Sequence, residues 1–110
     1  MAEERQRRLA LNEAVVREVN EAVEKIAADW YAADEPVMFR CECADATCDA
    51  QLPLLREDYE WVRASPARFV VAPGHEDLEL ERVVRELEGV RVVEKVGPGQ
   101  VVAEGTDPRS

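Results

Sequence analysis

Residues 37–49, VMFRCECADATCD, gather all three cysteines of the 110-residue chain: Cys41, Cys43 and Cys48. Three thiols cannot all pair within one chain, so internal disulfides cannot account for the whole cluster. Val37, Phe39 and Cys41 fall on one face of an alternating segment, the period of a strand running into a loop. In that alternation Cys41 and Cys43 point the same way and can clasp one ion. The only histidine, His75, follows the Pro73-Gly74 turn at the end of a second expected strand, ARFVVA (67–72). Where those two strand ends meet, Cys41, Cys43, Cys48 and His75 form a Cys3His set. That is the donor number and type of a closed structural zinc site, and soft sulfur with imidazole disfavours magnesium or calcium.

The C-x-C-x4-C spacing differs from the C-x2-C of ordinary zinc knuckles, and other readings stay open. The cysteines can be inert buried thiols beside an incidental surface histidine. They can form a redox switch, for which a Cys43–Cys48 disulfide is feasible and a Cys41–Cys43 disulfide is poorly shaped. A Cys–His pair is also the minimum for a thiol nucleophile, and Glu76 beside His75 would be a general base at an open metal site. Against catalysis, Glu42, Asp45 and Asp49 raise thiol pKa values, and the chain has no P-loop, G-x-G-x-x-G or H-E-x-x-H. No catalytic residue and no cofactor besides the metal is assigned.

N-terminal to the cluster, residues 3–32 read as one helix that Pro36 closes off. Leu9, Val16, Val23 and Trp30 take a positions, with Asn12, Val19 and Ile26 at d, a heptad seam. Glu13–Arg17 and Glu21–Lys25 read as ion pairs on the outer face. The g positions Val15, Ala22 and Asp29 and the e positions Glu13, Asn20 and Ala27 would not pair across a dimer. The widened stripe suits packing on the helix's own domain, with a homodimer through the 3–32 helix as the alternative.

C-terminal to the cluster, LPLLREDYEWVRAS (52–65) reads as a short helix with Tyr59 and Trp61 in the core. Arg63 and Arg68 read as partners for carboxylates. Residues 80–86 and 90–96 read as a hairpin turning at Glu88-Gly89, in preference to a helix over 79–87. VVAE (101–104) reads as a last strand before a polar tail, GTDPRS.

The composition is 46% hydrophobic and 35% charged, that of a folded domain rather than a disordered chain. With few aromatics the core is small, and domains of this size often need a staple. A net charge of −10, with neither half basic, argues against nucleic acid or anionic membrane as partner. No apolar leader or membrane span is visible, so the expected compartment is the cytoplasm, where clustered cysteines more often bind metal than form disulfides. Twelve Arg to two Lys suggests a GC-rich bacterial genome.

FRCECADATC (39–48), EDYEWVRASPARFVVAPGHED (57–77), ERVV (81–84), VVEKVG (92–97) and REVNEAV (17–23) resemble a family of small uncharacterised proteins of GC-rich, actinobacterial-type bacteria. The family carries CEC, a later cysteine and PGHE, matched here by Cys41, Cys43, Cys48 and Gly74-His75-Glu76. The resemblance implies a shared pattern and no mechanism.

The expected fold is α+β: a long N-terminal amphipathic helix (1–35) and a small α+β domain (36–110) with one antiparallel sheet and one short helix, stapled by metal. The expected role is a non-enzymatic zinc-stabilised protein-interaction or regulatory module with an unidentified protein partner. The alternatives are a cytosolic thiol-based redox sensor and a small metal-dependent enzyme.

Overall fold

The first strand starts where the sequence turns β-branched and aromatic after Pro36. β1 (Val37–Arg40) buries Val37 and Phe39 and exposes Met38 and Arg40. It pairs antiparallel with β2 (Gln51–Leu54), so the cysteine-bearing segment is the loop of a β-hairpin. Before this hairpin runs a 29-residue helix, α1 (Ala2–Trp30). After it come α2 (Arg56–Arg63), β3 (Arg68–Val71), β4 (Glu81–Leu87), β5 (Val90–Lys95) and α3 (Pro98–Gly105). The structure is a computed structural model describing residues 2–45 and 47–109, without the side chains of residues 2, 3 and 6. Ala46 of the cysteine loop and the terminal Met1 and Ser110 lie outside the described residues.

The expected α+β class and long N-terminal helix are present, with two small antiparallel sheets. The second sheet has the order β3-β5-β4. The β4–β5 hairpin turns at Glu88-Gly89 as the sequence indicates, and Gly89 takes the positive φ of 71° that the reversal needs. A bulge at Val84 interrupts the β4–β5 register. Phe39 and Tyr59 stack with ring centroids 4.3 Å apart. Around them Leu52, Leu54, Val62, Phe69, Val70, Val71, Val92 and Val93 complete the core.

Two local readings are corrected. Residues 52–54 belong to β2, and the helix begins only at Arg56. Pro53 fits in β2 because a two-stranded sheet leaves the strand a free edge, where a missing N–H is tolerated. VVAE is helical: Pro98 sits in the first turn of α3, where its fixed φ suits a helix start. The polar tail is anchored: Arg63 binds Asp107, and Arg109 binds Glu21 at 2.6 Å and Glu60 at 2.5 Å.

The largest correction concerns α1. It packs on its own domain, but only one edge of the heptad seam takes part: Leu9, Val16 and Val23 are half-buried, with Val23 against the core, while the rest of the seam faces out. The buried positions are Ala10, Glu13, Ala14, Arg17, Asn20 and Ala27. Ile26 and Trp30 of the seam are 63% and 81% exposed, and Val15 beside it is 62% exposed. At 100° per residue these three exposed residues lie about 150° round the helix from the buried face. The expected Glu13–Arg17 pair is therefore neither external nor a pair. The Glu13 carboxylate meets the Lys95 ammonium at 2.6 Å, and Lys95 also meets Glu81 at 2.5 Å. Arg17 donates to the carbonyls of Pro66 (2.6 Å) and Ala103 (2.9 Å) and lies over the Phe69 ring. Asn20 donates to the Arg40 carbonyl and accepts from the Arg40 N–H, both at 2.9 Å. Glu21, expected to pair with Lys25, instead serves Arg109 and Arg63.

Candidate metal centre

Two loops converge at one end of the molecule. The first extends β1: the Cys41 N–H donates to the Ala50 carbonyl at 3.0 Å, prolonging the hairpin by a rung. The loop then folds back on Asp45, whose carboxylate accepts from the Thr47 N–H (2.9 Å) and hydroxyl (2.7 Å). These two bonds, an Asx-type turn, hold the Asp45 carboxyl below its usual range. The Cys48 N–H donates to the Asp45 carbonyl at 3.1 Å, which returns Cys48 toward the strand end.

The second loop leaves β3. The His75 N–H donates to the Ala72 carbonyl at 2.9 Å, closing the turn Ala72-Pro73-Gly74-His75. Gly74 has φ of 92°, with Pro73 before it, the residue pair a type II turn selects. Glu76 braces this turn: its carboxylate accepts from the Gly74 N–H at 3.0 Å and from Arg91 at 2.9 Å. Burial pushes the Glu76 carboxyl slightly up, but those bonds outweigh it and hold the group low. With both oxygens engaged, Glu76 is an ion-paired brace, not the free general base that sequence reasoning considered.

The two strand ends meet without sharing a sheet. The Glu42 N–H donates to the Val70 carbonyl at 2.7 Å, and the Val70 N–H donates back to the Glu42 carboxylate at 2.9 Å. His75 Nδ1 consequently lies 3.5 Å from both Cys41 Sγ and Cys48 Sγ. The ligand atoms of Cys41, Cys43, Cys48 and His75 all fall within 4.8 Å of one another. A zinc tetrahedron with ordinary bond lengths has S···N edges of about 3.6 Å and S···S edges of about 3.8 Å. The histidine distances match that figure, and the widest separation needs to close by about 1 Å. Such a group can hold a metal ion. Cys41 and Cys43 are buried, Cys48 is half-buried and His75 is exposed, so the cluster is open to the surface on the imidazole side.

Burial pushes the Cys41 thiol up to about 12, although the Ala72 N–H directed at its sulfur (3.2 Å) works the other way. Burial likewise raises the Cys43 thiol. Neither sulfur is poised as a free thiolate, and a bound cation is the partner that would ionise them.

Sequence reasoning placed Glu42 as negative charge beside the thiols. Alternation turns it the other way, into full burial. Its carboxylate accepts from the Asn20 amide at 2.8 Å and the Tyr59 hydroxyl at 3.0 Å besides Val70. Burial raises its pKa against those three bonds. This brace was missed, because only strand alternation marks it and its partners lie on three separate elements. The Lys95–Glu13–Glu81 cluster was missed too. It borders a cleft of about 420 Å³ that also touches Cys43 and His75.

The site is thus a Cys3His cluster at the junction of two β loops in a small α+β domain. No family model, no curated protein and no solved structure matches the chain. Among the described residues, no helix is long and apolar enough to cross a membrane.

Proposed function

We propose that the chain is a non-enzymatic, zinc-stabilised interaction or regulatory module, with one zinc held by Cys41, Cys43, Cys48 and His75. The observation that carries this reading is the convergence of four soft donors within 4.8 Å on loops from two different sheets. A metal there ties the β1–β2 hairpin to the β3 end, where a small core needs a cross-link. Structural zinc binding contributes on the order of 10 kcal/mol to folding at neutral pH. Three sulfurs and one imidazole fill a tetrahedron, and the neighbouring Glu76 is occupied, so the centre is built to hold rather than to react. The redox alternative is weaker, because a sensor thiol needs a low pKa and burial acts upward on Cys41 and Cys43. A reducing cytoplasm, and kinship with the small bacterial proteins that carry CEC and PGHE, belong to the same proposal.

Metal analysis of freshly purified protein tests it. The expected result is one zinc per chain, removed by a strong chelator with cooperative loss of tertiary structure. Cys43→Ser and His75→Ala should each bind zinc at least about 100-fold more weakly, since the remaining donors leave the shell incomplete. Metal-free protein that stays folded while its thiols cycle reversibly with oxidant would overturn the reading in favour of the redox sensor.

A further inference from the structure

The outward face of α1 carries Leu11, Val15, Val19, Ile26 and Trp30, exposed at 49, 62, 41, 63 and 81%. Isolated exposed apolar residues are ordinary, but a continuous apolar stripe rimmed by charge marks an interaction surface. This helix docks through its charged side and offers its apolar side to solvent, the reverse of an amphipathic surface helix. The stripe is therefore left largely uncovered in the monomer.

The charge at the two ends of the stripe selects its occupant. Arg5 and Arg8 continue the face N-terminally, with Arg7 at its edge; Glu4 lies among them, all four are exposed, and this end carries a net positive charge. At the other end Asp29 flanks Trp30, followed by exposed Asp34 and Glu35. The last turn of α1 contains no basic residue, so Asp29 sits uncompensated at the negative end of the helix dipole. A second α1 running antiparallel lays its arginines over these carboxylates and its dipole against this one. A parallel copy would stack Arg8 on Arg8 and Asp29 on Asp29.

We infer that this face joins two copies of the chain as an antiparallel helix pair with Val19 on the two-fold axis. In that register Val15 lies against the exposed edge of half-buried Val23, Ile26 faces Asn12, and Trp30 lies over Arg8, an arrangement suited to a cation–π contact. The interface is isologous, and each contact occurs twice. The two domains point away from each other, because the buried face of α1 is nearly opposite the stripe. A groove of about 250 Å³ between Val15, Val16 and Val19 on one side and Arg40 with the loop bearing Cys41, Cys43 and Cys48 on the other receives side chains of the incoming helix. None of this depends on the identity of the metal.

Sedimentation of the full-length, zinc-loaded chain over a wide concentration range tests the inference. A concentration-dependent dimer is expected, with a blue shift of Trp fluorescence as Trp30 is covered. Val19→Asp places two carboxylates face to face on the axis and should weaken dimerisation at least about 100-fold. Its circular dichroism should not change, since Val19 is 41% exposed in the monomer. Arg8→Glu should weaken the dimer about tenfold, because each substitution counts twice. Adding Asp29→Arg should restore it. A monomer at every concentration overturns the inference and leaves the stripe to a different protein. A dimer indifferent to Val19→Asp overturns it as well. Failure of Asp29→Arg to rescue Arg8→Glu overturns the antiparallel register.

Discussion

The two interfaces that build this domain are made of opposite materials. Within the sheets, Phe39, Tyr59, Phe69 and the valines of β3 and β5 meet as apolar surface. Beneath α1, small Ala10, Ala14 and Ala27 leave room for large buried groups that are polar: Glu13, Arg17, Asn20, Arg63, Glu81 and Lys95. An apolar contact tolerates small slips and rewards burial by area. A buried ion or amide is favourable only with its own partner in place, and is costly otherwise. The sheets supply the stability of the domain, and the seam under α1 supplies the position and angle of the helix. Such a seam need not add net stability. Its signature is the penalty for leaving one member alone.

The sharpest way to break this contrast is Lys95→Met. Glu13 and Glu81 would then oppose each other out of water, and unfolding free energy should fall by about 3–5 kcal/mol. Converting both carboxylates to Gln in the same protein should return most of the loss, as urea denaturation can show. If the single substitution costs nothing, the seam does not position α1.

The next effect is a pH dependence. One lysine serves two buried carboxylates, and burial first, then the nearby Glu81 charge, raises Glu13 to about 7 despite Lys95. Burial also works against the charge on Lys95, but Glu13 and Glu81 outweigh it and hold its pKa up. Unfolded, Glu13 has its ordinary value near 4.5. The folded state therefore binds the extra proton between these values, and this contribution to stability falls as pH rises from 4.5 to about 7. Relative to Glu13→Gln, the natural chain should lose on the order of 3 kcal/mol across that window. Parallel pH profiles of the two proteins would remove Glu13 from the account.

The smallest effect belongs to an ion pair outside the seam. Arg82 and Glu94 lie 3.2 Å apart across β4 and β5, with Arg82 69% exposed. Arg82→Ala should change stability by less than about 0.5 kcal/mol, measured in the same urea series. A cost equal to that of Lys95→Met would erase the distinction between seam and surface.

The contrast also explains what could be read in advance. The strands at 37–40, 68–71 and 81–95 follow local rules of alternation and turn chemistry, and they fell where the residues indicate. The cysteines and histidine were legible by type, since few roles gather soft donors at two strand ends. The orientation of α1 was not legible. Hydrophobic periodicity assumes that the apolar stripe is the buried one, whereas Arg17 and Glu13 find partners up to 89 residues away. α3 was misread for a milder reason: consecutive valines favour a strand, and Pro98 overrode them.

Glu42 sits between Cys41 and Cys43 on the opposite face of the same short segment. The sulfurs cannot be re-spaced without displacing the carboxylate between them, which holds α1 through Asn20, α2 through Tyr59 and β3 through Val70. A shift of the sulfurs on closing round an ion would therefore reach three elements through one side chain, meeting the long helix part-way along its length at Asn20.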